Sequence, residues 1–213
     1  MSKFETRFIK YSDRNFRNKF NDLIYDDRKS SNKVNVTVSK IIKKLREIGD
    51  DGLIYYVKKL DKINVKKVKE LFISKHVLKD AYNGLKKEEK KALNIASERI
   101  KTFHKYQIPK DLKYTDDNKV NLGLKHSPIE SAGFYVPGGK AIYPSSVLMN
   151  AIPALVAGVE RRILVSPVSD LKKSSIVLAA AYVAKVTEFI CMGGAHAVAA
   201  LAYGTKSIFP VDK

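Results

Sequence analysis

Three short apolar segments in the C-terminal part of the chain limit the folds that it can adopt. They are Gly133–Val136, Arg162–Ser166 and Glu188–Met192, whose first residues lie 29 and 26 positions apart. Helix-like stretches follow them at Val147–Val159, Leu171–Lys185 and Ala195–Tyr203. This spacing is typical of β-α-β crossovers. Because the strand segments are apolar without alternation, we predict a parallel sheet that helices cover on both faces.

The first 130 residues carry a different pattern, in which apolar side chains recur at helical spacing. One such face is formed by Val38, Ile41, Ile42, Leu45 and Ile48. We expect Gly49 to stop this helix and the Asp50-Asp51 pair to cap the next one. Residues 110–128 are polar and are expected to form a short strand pair or a connecting loop. The predicted fold class is α/β, with a helical N-terminal region (1–130) followed by an incomplete parallel sheet (131–213).

The composition narrows the classes of function. The 213 residues include 40 basic and 22 acidic side chains, which gives a net charge of +18. Most of the basic residues are lysines, which more often solubilise a surface than contact bases, and no nucleic-acid-binding motif accompanies them. No apolar run reaches the roughly 20 residues that span a bilayer, and the N-terminus has no apolar leader. We therefore expect a cytoplasmic protein with no nucleic-acid or membrane partner, whose charge can still attract an anionic ligand.

Paired glycines follow two of the three predicted strands. Gly138 and Gly139 come after the first strand, and Gly193 and Gly194 come after the third. Ligands of parallel sheets bind at the carboxyl ends of the strands, and glycine lets a phosphate approach the backbone closely. The same pairs are equally consistent with tight strand-to-helix turns. His196 stands at the start of the last helix, where it can face a ligand held by the second glycine pair.

Other candidate catalytic groups lack the context that their chemistry needs. The Ser145–Ser146 pair has no Gly-x-Ser-x-Gly flanks and is expected to cap a helix. The four histidines have no metal-ligand spacing, and the single cysteine, Cys191, is expected to be an inert buried thiol. We therefore assign no catalytic residue and no metal ligand within this chain.

Longer segments of the sequence are more specific than these spacings. They are Gly133–Gly139, Tyr143–Ala154 and Gly193–Thr205, followed by Val211–Lys213. Together they resemble histidinol dehydrogenase, and the N-terminal half fits that family more loosely at Ile48–Leu53 and Phe103–Gln107. The resemblance implies an NAD-dependent oxidoreductase of histidine biosynthesis, which oxidises L-histidinol to L-histidine in two steps. It also implies a homodimer, a zinc ion that holds the substrate, and a Glu-His acid/base pair. Residues 131–213 would form an incomplete Rossmann-like domain that binds NAD.

The resemblance transfers few functional residues to this chain. It matches the family's NAD-contacting tyrosine to Tyr135, within the segment that contains Gly138 and Gly139. It matches an NAD-contacting glutamine to His196, which is a departure from the family pattern. The zinc ligands, the substrate contacts and the acid/base pair belong to a part of the family sequence that follows Lys213. We therefore expect this N-terminal portion to be inactive alone and to need a complementing C-terminal half. A non-catalytic NAD- or nucleotide-binding module and a degraded relic are the alternatives.

Overall fold

The computed structural model describes residues 8–138, 142–168 and 174–213, except for the side chains of residues 25–32. It divides into two compact units, Met1–Ile41 and Ile42–Lys213. In the described part of the first unit, a turn precedes a helix that begins at Phe16. The Phe16 ring lies 5.3 Å from that of Tyr11 and 5.5 Å from that of Phe20. Contacts between three aromatic rings therefore stabilise the start of that helix.

Helices fill most of the N-terminal part, and strands alternate with helices from residue 131 onward, as the sequence predicts; α2 and β1 were not predicted. The helices are α1 (Phe16–Tyr56), α2 (Lys75–Asn83), α3 (Lys87–Lys105), α4 (Pro144–Ala157), α5 (Ser175–Val183) and α6 (Gly194–Tyr203). A π-helical turn, Val57–Asp61, extends α1, and a 3₁₀ turn spans Val68–Leu71. The strands are β1 (Phe72–Ile73), β2 (Leu112–Thr115), β3 (Asn121–Leu124), β4 (Ser131–Tyr135), β5 (Arg161–Val165) and β6 (Glu188–Ile190).

The main sheet has the strand order β1-β6-β5-β4. β4, β5 and β6 are parallel, which confirms the three strands and the α/β class predicted from the apolar segments. β1 is an addition that the sequence did not predict, and it pairs antiparallel to β6 through Phe72 and Ile190. Two residues are too few to show a period, so no sequence pattern could identify this strand.

Side chains of the parallel strands alternate between the two faces of the sheet, and each face has its own core. Leu164 and Phe189 pack with residues of α4 and α5. Ile163 and Val165 pack on the other side with residues of α6 and of the C-terminal part of α1. Because successive strand residues point to opposite faces, a continuous apolar run is what a sheet covered on both faces requires. The predicted helical cover on both faces is confirmed.

The predicted break at Gly49 is observed, because this residue has non-helical φ and ψ angles and separates two helices that meet at a kink within α1. Gly49 has φ 51° and ψ −122°, and helix continues on both sides of it. The Asp50 carboxylate does not cap a new helix but accepts hydrogen bonds from Ser207, with 2.5 Å between its Oδ2 and the Ser207 Oγ. Burial opposes ionisation, but the hydrogen bonds from Ser207 and Thr205 prevail and lower the pKa of Asp50. A tertiary contact therefore takes the place of the local cap.

Two further local predictions have definite outcomes. Of the two alternatives for residues 110–128, the strand pair is the one observed, because β2 and β3 form an antiparallel hairpin. The predicted serine cap of α4 is wrong, since the helix begins at Pro144 and has no side-chain cap hydrogen bond. Proline fixes a helical φ at the first helical position, and Ser145 and Ser146 lie inside the first turn.

The last three residues lie along the outer strand of the sheet. The backbone N–H of Gly133 in β4 donates to the Lys213 carbonyl over 2.9 Å. The Asp212 carboxylate accepts from both the backbone N–H and the hydroxyl of Ser131, each at 2.9 Å. These hydrogen bonds lower the pKa of Asp212. The C-terminal segment is therefore held against the strand that carries Tyr135.

Candidate functional site

The candidate site lies at the carboxyl edge of the parallel sheet, where the loops after β4, β5 and β6 meet. The described residues of these loops are 136–138 with 142–143, 166–168 with 174, and 191–193. The first and third contain the glycines that the sequence singled out. Parallel sheets bind ligands at this edge, because helix N-termini present free N–H groups there.

Pro167, in the loop after β5, lies against both glycine turns. A Cβ atom added to Gly138 would lie 2.5 Å from the Pro167 carbonyl oxygen, and one added to Gly193 would lie 2.8 Å from the Pro167 ring. Neither position has room for a side chain, so close packing of the three loops explains both glycines. Gly194 has φ +65°, which favours glycine for conformational reasons. Gly139 lies outside the described residues.

Tyr135 is the last residue of β4 and its side chain is 39% exposed. Neighbouring strands lie about 4.8 Å apart, so β4 and β6 are separated by roughly 10 Å across β5. Tyr135 and the start of α6 therefore share one edge of the sheet. An exposed phenol at this position offers an aromatic face and a hydroxyl group to a ligand.

His196 lies in the first turn of α6 and is 1% exposed. Its Nε2 is 2.8 Å from Oδ2 of Asp61, and the same oxygen accepts a 3.1 Å hydrogen bond from the Gly193 backbone N–H. The Tyr56 ring is stacked 6.2 Å from the imidazole. His196 Nδ1 is buried and has no hydrogen-bond partner among the described residues. One ring nitrogen, Nε2, therefore contacts a carboxylate, whereas the other, Nδ1, has no partner among the described residues.

Asp61 is the residue of the candidate site that the sequence reasoning missed. It ends the π-helical turn after α1, and the following residue, Lys62, adopts the left-handed conformation with its N–H donating to the Val57 carbonyl. π-helical turns occur frequently at functional sites. Asp61 and His196 are 135 positions apart, so no local spacing could have paired them.

Cys191 follows β6 at the same edge and is buried. Its thiol donates to the Val168 carbonyl over 3.1 Å and accepts from the Val168 N–H at 3.3 Å. Burial, with a further contribution from the Asp61 charge, raises the pKa of the thiol. Since the thiolate is the reactive form, this cysteine is a poor nucleophile, as the sequence predicts.

The described residues do not fit a zinc site. Within residues 8–138, 142–168 and 174–213, no three His, Cys, Asp or Glu side chains form a group that could hold a metal ion. His104 and His126 both line a separate cleft of about 390 Å³, and Nδ1 of His104 is 2.6 Å from the Gln107 side-chain oxygen.

Among the described residues, no helix has the length and apolarity needed to cross a membrane.

Comparison with known proteins identifies the family. The model of the histidinol dehydrogenase family matches residues 25–213. A histidinol dehydrogenase from Hydrogenovibrio crunogenus is 44% identical over 184 residues, which cover 86% of this chain and 42% of that protein. One from Mesorhizobium japonicum is 43% identical over 205 residues, covering 96% of this chain and 47% of that protein.

The fold agrees with that similarity. A crystal structure of histidinol dehydrogenase from Elizabethkingia anophelis matches with a TM-score of 0.75 and 28% sequence identity. The match covers 84% of this chain and 41% of that one. The chain spans less than half the length of these relatives. On the family match and the fold together, the chain belongs to the histidinol dehydrogenase family.

Proposed function

We propose that this chain forms the NAD-binding portion of a histidinol dehydrogenase, which oxidises L-histidinol to L-histidine in two NAD-dependent steps. The observation that carries the proposal is the family match over residues 25–213. The geometry supports it, because the residues that the resemblance matches to NAD contacts, Tyr135 and His196, lie at the same edge of the sheet.

The two residues fit different parts of a cofactor site. Tyr135 is exposed and can contact a ligand directly, whereas His196 is buried with one unpaired nitrogen. A buried polar atom without a partner is unusual in a folded protein, and a ligand group that bonds to it removes the cost. When bound, NAD accepts the hydride from the substrate, and this chain's own residues hold and orient it.

The zinc ion and the acid/base pair of the proposed reaction need residues from elsewhere. The described residues contain no suitable group of three metal-ligating side chains. We therefore propose that the chain alone is inactive, and that the remaining portion of a histidinol dehydrogenase, together with a second copy of the assembly, completes a cytoplasmic enzyme. The proposal also includes a domain boundary after residue 130, between the helical N-terminal region (1–130) and the NAD-binding region (131–213).

A complementation assay tests the proposed function. NADH formation from L-histidinol and NAD, with zinc present, is measured for the chain alone and after mixing with the unmatched portion of the Hydrogenovibrio crunogenus relative. The chain alone should give no NADH, and the mixture should give histidinol-dependent NADH. NADH formed by the chain alone would contradict the proposed division of residues.

Tyr135→Ala should strongly reduce the rate of the mixture at subsaturating NAD. Tyr182→Ala is the matched control, because Tyr182 is equally exposed at 39% but lies near the C-terminal end of α5. A helix that connects parallel strands ends at the amino edge of the sheet, away from the proposed site. Equal losses in the two variants would contradict the role of Tyr135.

A non-catalytic nucleotide-binding module is the second candidate. Like the leading proposal, it agrees with the lack of a three-ligand metal group in the described part of the chain. This candidate predicts NAD binding by the chain but no NADH in any mixture with the remaining portion of a relative.

A further inference from the structure

One oxygen atom of Asp61 contacts both the glycine turn after β6 and the imidazole of His196. Its Oδ2 lies 2.8 Å from His196 Nε2 and 3.1 Å from the Gly193 nitrogen. The Asp61 side chain is only 9% exposed, and that of His196 is 1% exposed. Hydrogen bonds to an ionised carboxylate in such a dry environment are stronger than neutral ones. The contact therefore fixes the π-helical turn, the glycine turn and the imidazole relative to one another.

This contact also determines where the imidazole carries its proton. An ionised carboxylate only accepts hydrogen bonds, so Nε2 must carry a hydrogen to bond with Asp61. In the neutral ring, Nδ1 is then left with a lone pair and is an acceptor. Nδ1 is the atom that has no partner among the described residues. It lies 3.7 Å from where a Cβ of Gly194 would be, so it faces the first residue of α6.

The chemistry of a ligand at this point follows from the two groups. A lone pair on Nδ1 needs a hydrogen-bond donor, such as a hydroxyl or an amide N–H. A fully ionised phosphate has no proton to donate, and the Asp61 charge beside the imidazole repels it. The start of α6 would otherwise favour an anion, but Asp61 already supplies one there by accepting from Gly193.

We propose that Asp61 is a positioning residue, which fixes His196 as the Nε2–H tautomer so that Nδ1 accepts a hydrogen bond from a hydroxyl or amide group of the bound dinucleotide. The contact would select an uncharged part of the cofactor and not its pyrophosphate. The hydrogen bond with the dinucleotide rests on the proposed function. The first part of the inference, the tautomer of His196, is a property of the chain without ligand.

Nitrogen NMR of the ¹⁵N-histidine-labelled full chain tests that first part. At pH 8, the ring of His196 should show one protonated and one unprotonated nitrogen, with the proton on Nε2, because Nε2 contacts the Asp61 carboxylate. The His196→Gln variant assigns the resonances. A proton on Nδ1, or a doubly protonated ring, would overturn the proposal.

Two Asp61 variants separate positioning from simple packing. Asp61→Asn can keep both hydrogen bonds through its amide oxygen, and we expect it to keep the Nε2–H tautomer. Asp61→Ala removes the acceptor, so the two tautomers should exchange and average. Asp50→Asn, a matched change of a hydrogen-bonded carboxylate on α1, should leave the His196 signals unchanged. A fixed tautomer in Asp61→Ala would overturn the proposal, and the wild-type spectrum tests it even if that variant does not fold.

Ligand titrations of the same sample test the second part. NAD and nicotinamide riboside should shift the Nδ1 resonance, whereas inorganic pyrophosphate should not. Loss of one hydrogen bond should weaken NAD binding by about three- to tenfold in Asp61→Ala. A shift caused equally by pyrophosphate would overturn the ligand class. NAD binding that leaves Nδ1 unmoved would overturn this inference alone, whereas a lack of NAD binding would overturn the proposed function as well.

Discussion

The parallel sheet and the β2–β3 hairpin are both paired through backbone hydrogen bonds, but their side chains have opposite environments. In β5, Ile163, Leu164 and Val165 are fully buried between two layers of helices. In the hairpin, every strand residue is exposed. Leu112 pairs with Leu124 and Tyr114 with Leu122, so these four apolar side chains lie on one face. Strand pairing alone does not create a core, and a two-stranded sheet is marginal without one.

The largest expected effect comes from removing a core side chain of the sheet. Leu164 is 0% exposed and contacts the layer formed by α4 and α5. Leu164→Ala should lower the free energy of unfolding by about 3 kcal/mol, because it leaves a cavity. Leu122→Ala on the exposed hairpin should change it by less than about 0.5 kcal/mol. Urea unfolding of both variants measures the difference, and equal effects would contradict the comparison.

An intermediate effect is expected where the sheet's loops pack most closely. In Gly138→Ala, the new Cβ would lie 2.5 Å from the Pro167 carbonyl oxygen, a backbone atom that cannot move freely. We expect a loss of about 1–3 kcal/mol from this overpacking. Gly84→Ala is the control, because its Cβ would meet nothing closer than 3.4 Å and its backbone is helical. Denaturant unfolding should show that control unchanged or slightly stabilised, and a tolerated Gly138→Ala would refute the packing argument.

The smallest expected effect is a pH-dependent change in Tm on removing the Asp212 carboxylate, which bonds to the outer strand β4. Hydrogen bonds from Ser131 lower the pKa of Asp212 from its ordinary value of 3.8. A lowered pKa in the folded state stabilises the protein above pH 3.8, and this contribution is lost as the pH falls through the folded-state pKa. Asp212→Asn should therefore lower the Tm at pH 7, with a smaller difference from wild type in acid.

Thermal melts from pH 7 down to pH 3 measure this dependence. Asp117→Asn, a change in the exposed hairpin turn, serves as the control and should leave the Tm unchanged at every pH. A Tm difference for Asp212→Asn that grows in acid would show that the sign is wrong.

The contrast between the two regions also explains what the sequence could predict. Buried strands leave continuous apolar runs, so β4, β5 and β6 were evident from residues 133, 162 and 188. Exposed strands leave no such runs, and the hairpin could not be distinguished from a loop. β1 is too short to show a pattern.

Contacts between distant residues were also beyond a reading of local spacing. Asp61 meets His196 only through the fold, and Asp50 bonds to Ser207 across 157 positions instead of capping its own helix. The resemblance located Tyr135 and His196, but only the structure shows that one is exposed and the other is buried and paired.

Calorimetric titration of the 213-residue chain with NAD tests the central claim most directly. The account predicts saturable binding at one site per chain, weakened in Tyr135→Ala and unchanged in Tyr182→Ala. No heat of binding in a folded sample, or equal binding by wild type and Tyr135→Ala, would contradict a cofactor site at the carboxyl edge of the sheet.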